Sequence, residues 1–89
     1  MTLARMWEAR VVSGRLEDAV AWLRDTVFPR ALAEPGCLEA EVFRAADEPP
    51  RVVLVTRWDG TTGWTEGEAP AGVLARADAW TFELVSPAP

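Results

Sequence analysis

Histidine, lysine, tyrosine, asparagine, glutamine and isoleucine are all absent from the 89 residues, and cysteine occurs once. Each gap removes a chemistry. Without His, Lys or Tyr there is no nucleophile–imidazole pair, no lysine Schiff base and no phenolic acid. One Cys, Cys37, forms no internal disulfide and with no His assembles no thiolate–imidazole zinc site, so no metal is expected. The missing Lys, Tyr, Asn and Ile are also the residues of AT-rich codons, so base composition in a GC-rich bacterial genome explains their absence as simply as mechanism does. Basic runs are missing too. Nine arginines stand singly in a chain of formal charge −5, which argues against nucleic acid and anionic membranes as partners. No stretch approaches the roughly 18 apolar residues of a membrane span, and the first ten, MTLARMWEAR, lack the apolar core of a secretory signal, so a cytoplasmic location is expected.

What is present is an ordinary globular composition, 49% hydrophobic and 26% charged, read as a single domain over residues 1–89. A chain of this size buries only about 60–65% of its unfolded surface, so a second subunit would help it. LARMWEARVV, residues 3–12, alternates as a strand and meets a turn at Ser13-Gly14. From Leu16 the period lengthens. Leu16, Ala19, Val20, Leu23, Val27 and Ala31 line one side of a helix, which is expected to bend or tighten near Pro29 and to stop before Pro35-Gly36. A second strand follows from Cys37, with Leu38, Ala40 and Val42 on one face and Glu39, Glu41 and Phe43 on the other. AADEPP then connects to RVVLVTRW, residues 51–58, which is apolar on both faces and so predicts a central strand covered on both sides. Beyond Trp58 the spacing predicts a Gly-rich loop, a short second helix over residues 70–77 and a last strand over residues 80–85. The order β-α-β-β-α-β predicts a ferredoxin-like α+β domain with a four-stranded antiparallel sheet and helices on one face. The other face carries Arg10, Glu39, Glu41, Phe43, Val53, Val55 and Arg57, a mixture of apolar groups and opposed charges that suits the interface of a homodimer. Its plainer alternative is a solvated face, which would leave Phe43, Val53 and Val55 exposed.

Several segments together resemble the antibiotic biosynthesis monooxygenase family. They are Ala9-Arg10, the turn Glu34-Pro35-Gly36-Cys37-Leu38, Glu41-Val42-Phe43-Arg44 and Val53-Leu54-Val55-Thr56-Arg57-Trp58-Asp59, spread over about residues 4 to 60. The resemblance implies a dimeric α/β barrel with a pocket between sheet and helices in each subunit. It also implies cofactor-independent oxygenation of a small aromatic, anthrone or quinol compound in bacterial secondary metabolism. The haem-degrading branch uses an Asn on the first strand, a Trp ending the third and a ligating His. Here those positions hold Ala9, Trp58 and no His, which excludes a His-ligated haem.

By alternation, the pocket face collects Arg5, Trp7, Ala9, Leu54, Thr56 and Trp58, and the last strand is expected to add Trp80 and Phe82. Trp7, Trp58 and Trp80 would make flat walls for an apolar aromatic molecule, with Trp64 closing from the loop. A tightly packed core would use the same tryptophans, and Trp64 would equally well pin the loop against the sheet. Cofactor-free oxygenation needs a base and an anion-stabilising cation. Arg5 is the expected cation, Asp78 and Glu66 the expected bases, and Trp58 the family-matched wall. Two further functions fit the same residues: a non-catalytic dimeric module that binds an apolar metabolite, and a polyketide cyclase or isomerase.

Overall fold

The computed structural model describes residues 1–60 and 63–86. Thr61 and Thr62 of the expected loop, and the end of the Pro-rich tail, lie outside the described residues. Strands β1 (Thr2–Val11), β2 (Cys37–Ala45), β3 (Arg51–Asp59) and β4 (Leu74–Glu83) form one sheet in the order β2-β3-β1-β4. Every neighbouring pair is antiparallel, so β1 and β2 run parallel to each other on either side of β3. That arrangement demands a crossover between them. The crossover is helical: α1 (Leu16–Trp22), a π-helical turn (Leu23–Val27) and α2 (Phe28–Ala33) follow without a break.

The π turn sits where Pro29 requires it. Proline at the second residue of α2 has no N–H and its ring crowds the carbonyl four residues back, so the helix widens before it rather than tightening as expected. The helix ends at Ala33, because the residue before Pro35 is forced towards extended backbone; Glu34 has ψ 130°. Gly36 then turns with φ +91° and accepts a hydrogen bond from the amide of Asp59 at 2.8 Å, which ties the start of β2 to the end of β3. As its two apolar faces predict, β3 is central.

The second helix is absent. Pro70 to Gly72 make a turn, closed by Gly72 at φ +76°, and the chain enters β4 at Leu74. The alanines of ARADAW suggest helix by propensity, but they alternate with Arg76, Asp78 and Trp80 at period two. Pairing with β1 over the whole strand supplies backbone hydrogen bonds that an isolated eight-residue helix would not hold. The strand therefore starts at Leu74, ahead of the expected start at residue 80.

The core lies between the sheet and the helical crossover. Ala19, Leu23, Val27 and Ala31 are fully buried along the predicted stripe, against Val52, Leu54 and Val73. Trp22, outside that stripe, joins them and meets Trp7 with ring centroids 5.9 Å apart. At the start of β2 the register shifts between Cys37 and Glu39. Cys37 takes the inward place opposite Trp58, and Leu38, expected on the inner face, is turned out and 58% exposed.

Candidate functional site

The side of the sheet facing the helix is built by alternate residues of β1 and β3. Arg5, Trp7 and Ala9 lie opposite Thr56, Leu54 and Val52 in register, with Trp58 one step further opposite Leu3. Trp7, Ala9, Leu54, Thr56 and Trp58 are all buried, so this part of the expected pocket is packed protein. The Trp58 indole Nε1 donates to Thr56 Oγ1 at 2.8 Å, so its N–H is taken up within the packed interior. Two residues apart on one strand share a face, which is why these two meet.

The segment from Gly63 to Ala69 occupies the space on this side that the expected second helix would have taken. Trp64 is buried, tilted at 38° against Trp58 with centroids 5.5 Å apart. The Arg30 guanidinium lies 5.5 Å from the Trp64 ring centroid and donates to the carbonyls of Thr65 and Glu66. Glu66, only 3% exposed, accepts two hydrogen bonds from Arg5, at 2.9 Å from Nε and 2.7 Å from Nη2. Hydrogen bonding to Glu66 raises the Arg5 pKa above its ordinary value, against the lowering effect of burial. Arg5 is thus a paired cation, and Glu66 is its partner. Periodicity gave no sign of the pair because the two residues are 61 positions apart. Open on this side is a cleft of about 420 Å³ beside the pair, bordered by Trp7, Glu68, Ala77, Asp78 and Ala79.

Asp78 borders this cleft, while the side chains of Asp78, Trp80 and Phe82 lie on the other side of the sheet from the one expected. The register of β4 on β1 sets them opposite Glu8, Met6 and Ala4, on the face away from the helix. Asp78 there accepts a hydrogen bond from Arg76 at 2.9 Å, while Trp80 and Phe82 are 50% and 52% exposed. A strand that begins at Leu74 and pairs residue by residue fixes these directions; the short strand expected at residue 80 carried no register.

The residues expected on the outer face are all on it: Arg10 on β1, Glu39, Glu41 and Phe43 on β2, and Val53, Val55 and Arg57 on β3. Arg57 pairs with Glu39 within the chain at 3.5 Å. With Met6, Trp80 and Phe82, the residues Phe43, Val53 and Val55 form an apolar band across all four strands. Large contiguous apolar surface of this kind marks an interaction site.

Residues 4–64 match the family model of the antibiotic biosynthesis monooxygenases. The chain belongs to this family. No curated protein matches it in sequence. Solved structures share the fold at low identity. Rv0793 from Mycobacterium tuberculosis is 16% identical with a TM-score of 0.77 over 100% of both chains. SO0527 from Shewanella oneidensis is 20% identical with a TM-score of 0.72, over 91% of this chain and 88% of its own. SnoaB, a cofactor-independent oxygenase from Streptomyces nogalater, is 12% identical with a TM-score of 0.65, over 99% and 97%. At such identities the likeness concerns the fold. The family match ends at Trp64, the residue where the chain of this member fills its own interior. Among the described residues no group of three His, Cys, Asp or Glu side chains could hold a metal, and no helix is long and apolar enough to cross a membrane.

Proposed function

We propose that this family member is a cofactor-independent monooxygenase of a small aromatic, anthrone or quinol compound in bacterial secondary metabolism, working in the cytoplasm as a homodimer. The observation that carries the reading is the Arg5–Glu66 pair at the edge of a cleft bordered by Trp7. A carboxylate and a guanidinium held together beside apolar surface are the two groups such chemistry needs. When a phenolic or anthrone substrate enters, Glu66 takes its proton and Arg5 shifts its hydrogen bonds to the resulting oxyanion. The electron-rich anion reduces O₂. One oxygen atom enters the substrate, the other leaves as water, and the substrate supplies both electrons. Trp7 is the aromatic wall beside the pair; Trp58, Ala9, Leu54 and Thr56 hold the sheet beneath it, and Trp64 closes over Trp58. Asp78 lies on the opposite face and has no part in this reading.

The apolar band on the outer face supports the homodimer. A second copy that covers Met6, Phe43, Trp80 and Phe82 would complete the core that so short a chain lacks. Light scattering should return twice the 9.8 kDa chain mass at micromolar concentration; a monomer there would refute the dimer.

The decisive assay is O₂ uptake by metal-free protein on a reduced anthrone and a quinol panel, with Glu66→Gln and Trp58→Phe as controls. Uptake that requires the protein and falls in Glu66→Gln supports the oxygenase. The packed interior favours one second reading, a non-catalytic dimeric module that binds an apolar metabolite. It predicts tryptophan quenching by ligand and an unchanged ligand. A cyclase or isomerase of the same fold would change the product without consuming O₂.

A further inference from the structure

Arg5 and Glu66 are held in very different ways. Arg5 stands on β1, which is paired with a strand on either side. Glu66 belongs to the segment from Gly63 to Ala69, which has no regular secondary structure to set the direction of its side chain. Arg30 takes that place. Its Nη1 donates to the Glu66 carbonyl at 3.0 Å and its Nη2 to the Thr65 carbonyl at 3.1 Å. The Thr65 carbonyl lies in the peptide plane before the Glu66 Cα, and the Glu66 carbonyl in the plane after it. Peptide units are rigid, so the angle between these two planes is the φ and ψ of Glu66. One planar guanidinium that engages both units restrains both angles, and with them the direction in which the Glu66 side chain leaves the backbone. The same guanidinium lies 5.5 Å from the Trp64 ring centroid, which holds the residue two positions earlier. The mount is firm, because Arg30 is in the last turn of the helical crossover and next to the fully buried Ala31.

We propose that Arg30 is the positioning residue of this cleft: it holds the two peptide planes that meet at Glu66, aims that carboxylate at Arg5 and keeps it there when Arg5 turns to a substrate oxyanion. The inference rests on the reading of Glu66 as the base and deepens it. Arg5 does not serve this purpose by itself, since in that reading its hydrogen bonds leave Glu66 as the substrate loses its proton. Arg30 grips backbone carbonyls, so it does not compete for the carboxylate oxygens that receive that proton. A guanidinium also keeps its charge throughout the range in which a carboxyl titrates, so the grip does not change with the state of the base. The simpler role for Arg30 is a cation in the last turn of a helix, which would leave the Arg5–Glu66 pair intact after its removal.

The test follows the Arg5 Nε–H, which donates to Glu66 Oε2 at 2.9 Å, in proton–nitrogen correlation spectra of the purified protein, assigned by its loss in Arg5→Lys. Arg30→Met should move this resonance towards that of free arginine and speed its exchange with water several fold, while the amides shared by β1 and β3 keep their protection. Arg30→Lys, with one point charge in place of a fork, should lie in between. Arg24→Met, which removes an exposed charge from the same crossover, should leave the resonance in place. With anthrone as substrate, Arg30→Met should lower kcat by roughly tenfold or more with KM nearly unchanged, since a misplaced base weakens the transition state and not the ground state. An unchanged Arg5 signal in Arg30→Met would overturn the proposal. So would loss of amide protection in β1 and β3 along with that signal, which would make Arg30 a general stabiliser, or an unchanged kcat in an active parent. A displaced Arg5 signal with no O₂ uptake by the parent chain would support the positioning and count against the oxygenase reading alone.

Discussion

The two faces of one sheet, drawn from alternate residues of the same strands, have opposite degrees of completion. Towards the helix, Trp7, Leu54, Thr56 and Trp58 are buried, and no buried side-chain polar atom among the described residues lacks a partner. Away from it, Met6, Phe43, Trp80 and Phe82 are about half exposed, and among the described residues Arg10 and Arg51 have no salt bridge. The difference follows from supply. Among the described residues one crossover helix and one loop cover the four-stranded sheet, and both lie on the same side. The lesson is that stability within one chain comes from one face, while the other is left uncovered.

The sharpest way to break this comparison is to remove a large side chain from each face. Trp58→Ala removes the floor under Trp64 and leaves the Thr56 hydroxyl without its donor, so it should destabilise the fold by about 3–5 kcal/mol, measured by urea denaturation. Phe82→Ala should change monomer stability by less than about 1 kcal/mol. Equal losses would show that the outer face is already structural within one chain. Next comes the closing loop. Glu66→Gln leaves Arg5 partly buried with a weaker acceptor and should cost about 1–3 kcal/mol, with faster proteolysis between Gly63 and Ala69 as the direct readout. Met6→Glu on the outer face should then convert a dimer to monomer in light scattering, with a thermal midpoint that moves by only a few degrees.

The smallest effects are in titration, and they divide between a partly buried group and an exposed one. Burial pushes the Cys37 thiol above its ordinary range, with partial relief from the backbone of Glu39. The native thiol thus keeps its proton at a pH where the unfolded one has lost it, so this group's contribution to stability is intact below the ordinary thiol pKa and declines as pH rises above it. Alkylation by iodoacetamide at mildly alkaline pH should be several times slower in native protein than in urea. The exposed Asp25 behaves in the opposite sense. The hydrogen bond from Arg24 lowers its pKa, so its contribution is present above the ordinary carboxylate range and is lost as pH falls through the lowered value. Its carboxyl resonance should titrate below that of an unpaired aspartate.

Much of the fold was legible from local pattern. Period-two alternation marked β1 and β3, three- and four-residue spacing marked the helix, and the double-sided apolar run of residues 51–58 located the central strand. Where local signals conflicted, reading failed. In ARADAW, alanine's helix propensity competed with alternation, and the unseen β1 partner decided for strand. That one decision carried Asp78, Trp80 and Phe82 to the other face. The candidate site was half legible: Arg5, Trp7 and Glu66 were each singled out, yet their pairing depends on how a loop of glycines folds back over the sheet.

The sequence by itself determined which side-chain types this protein lacks, the elements of its sheet and that β3 is an inner strand, because those depend on residue type and on spacing within a few positions. Only the tertiary structure decided which arginines are neighbours. Arg10, Arg51 and Arg76 stand far apart and singly along the chain, and strand register, set by backbone pairing over whole strands, puts them in one row.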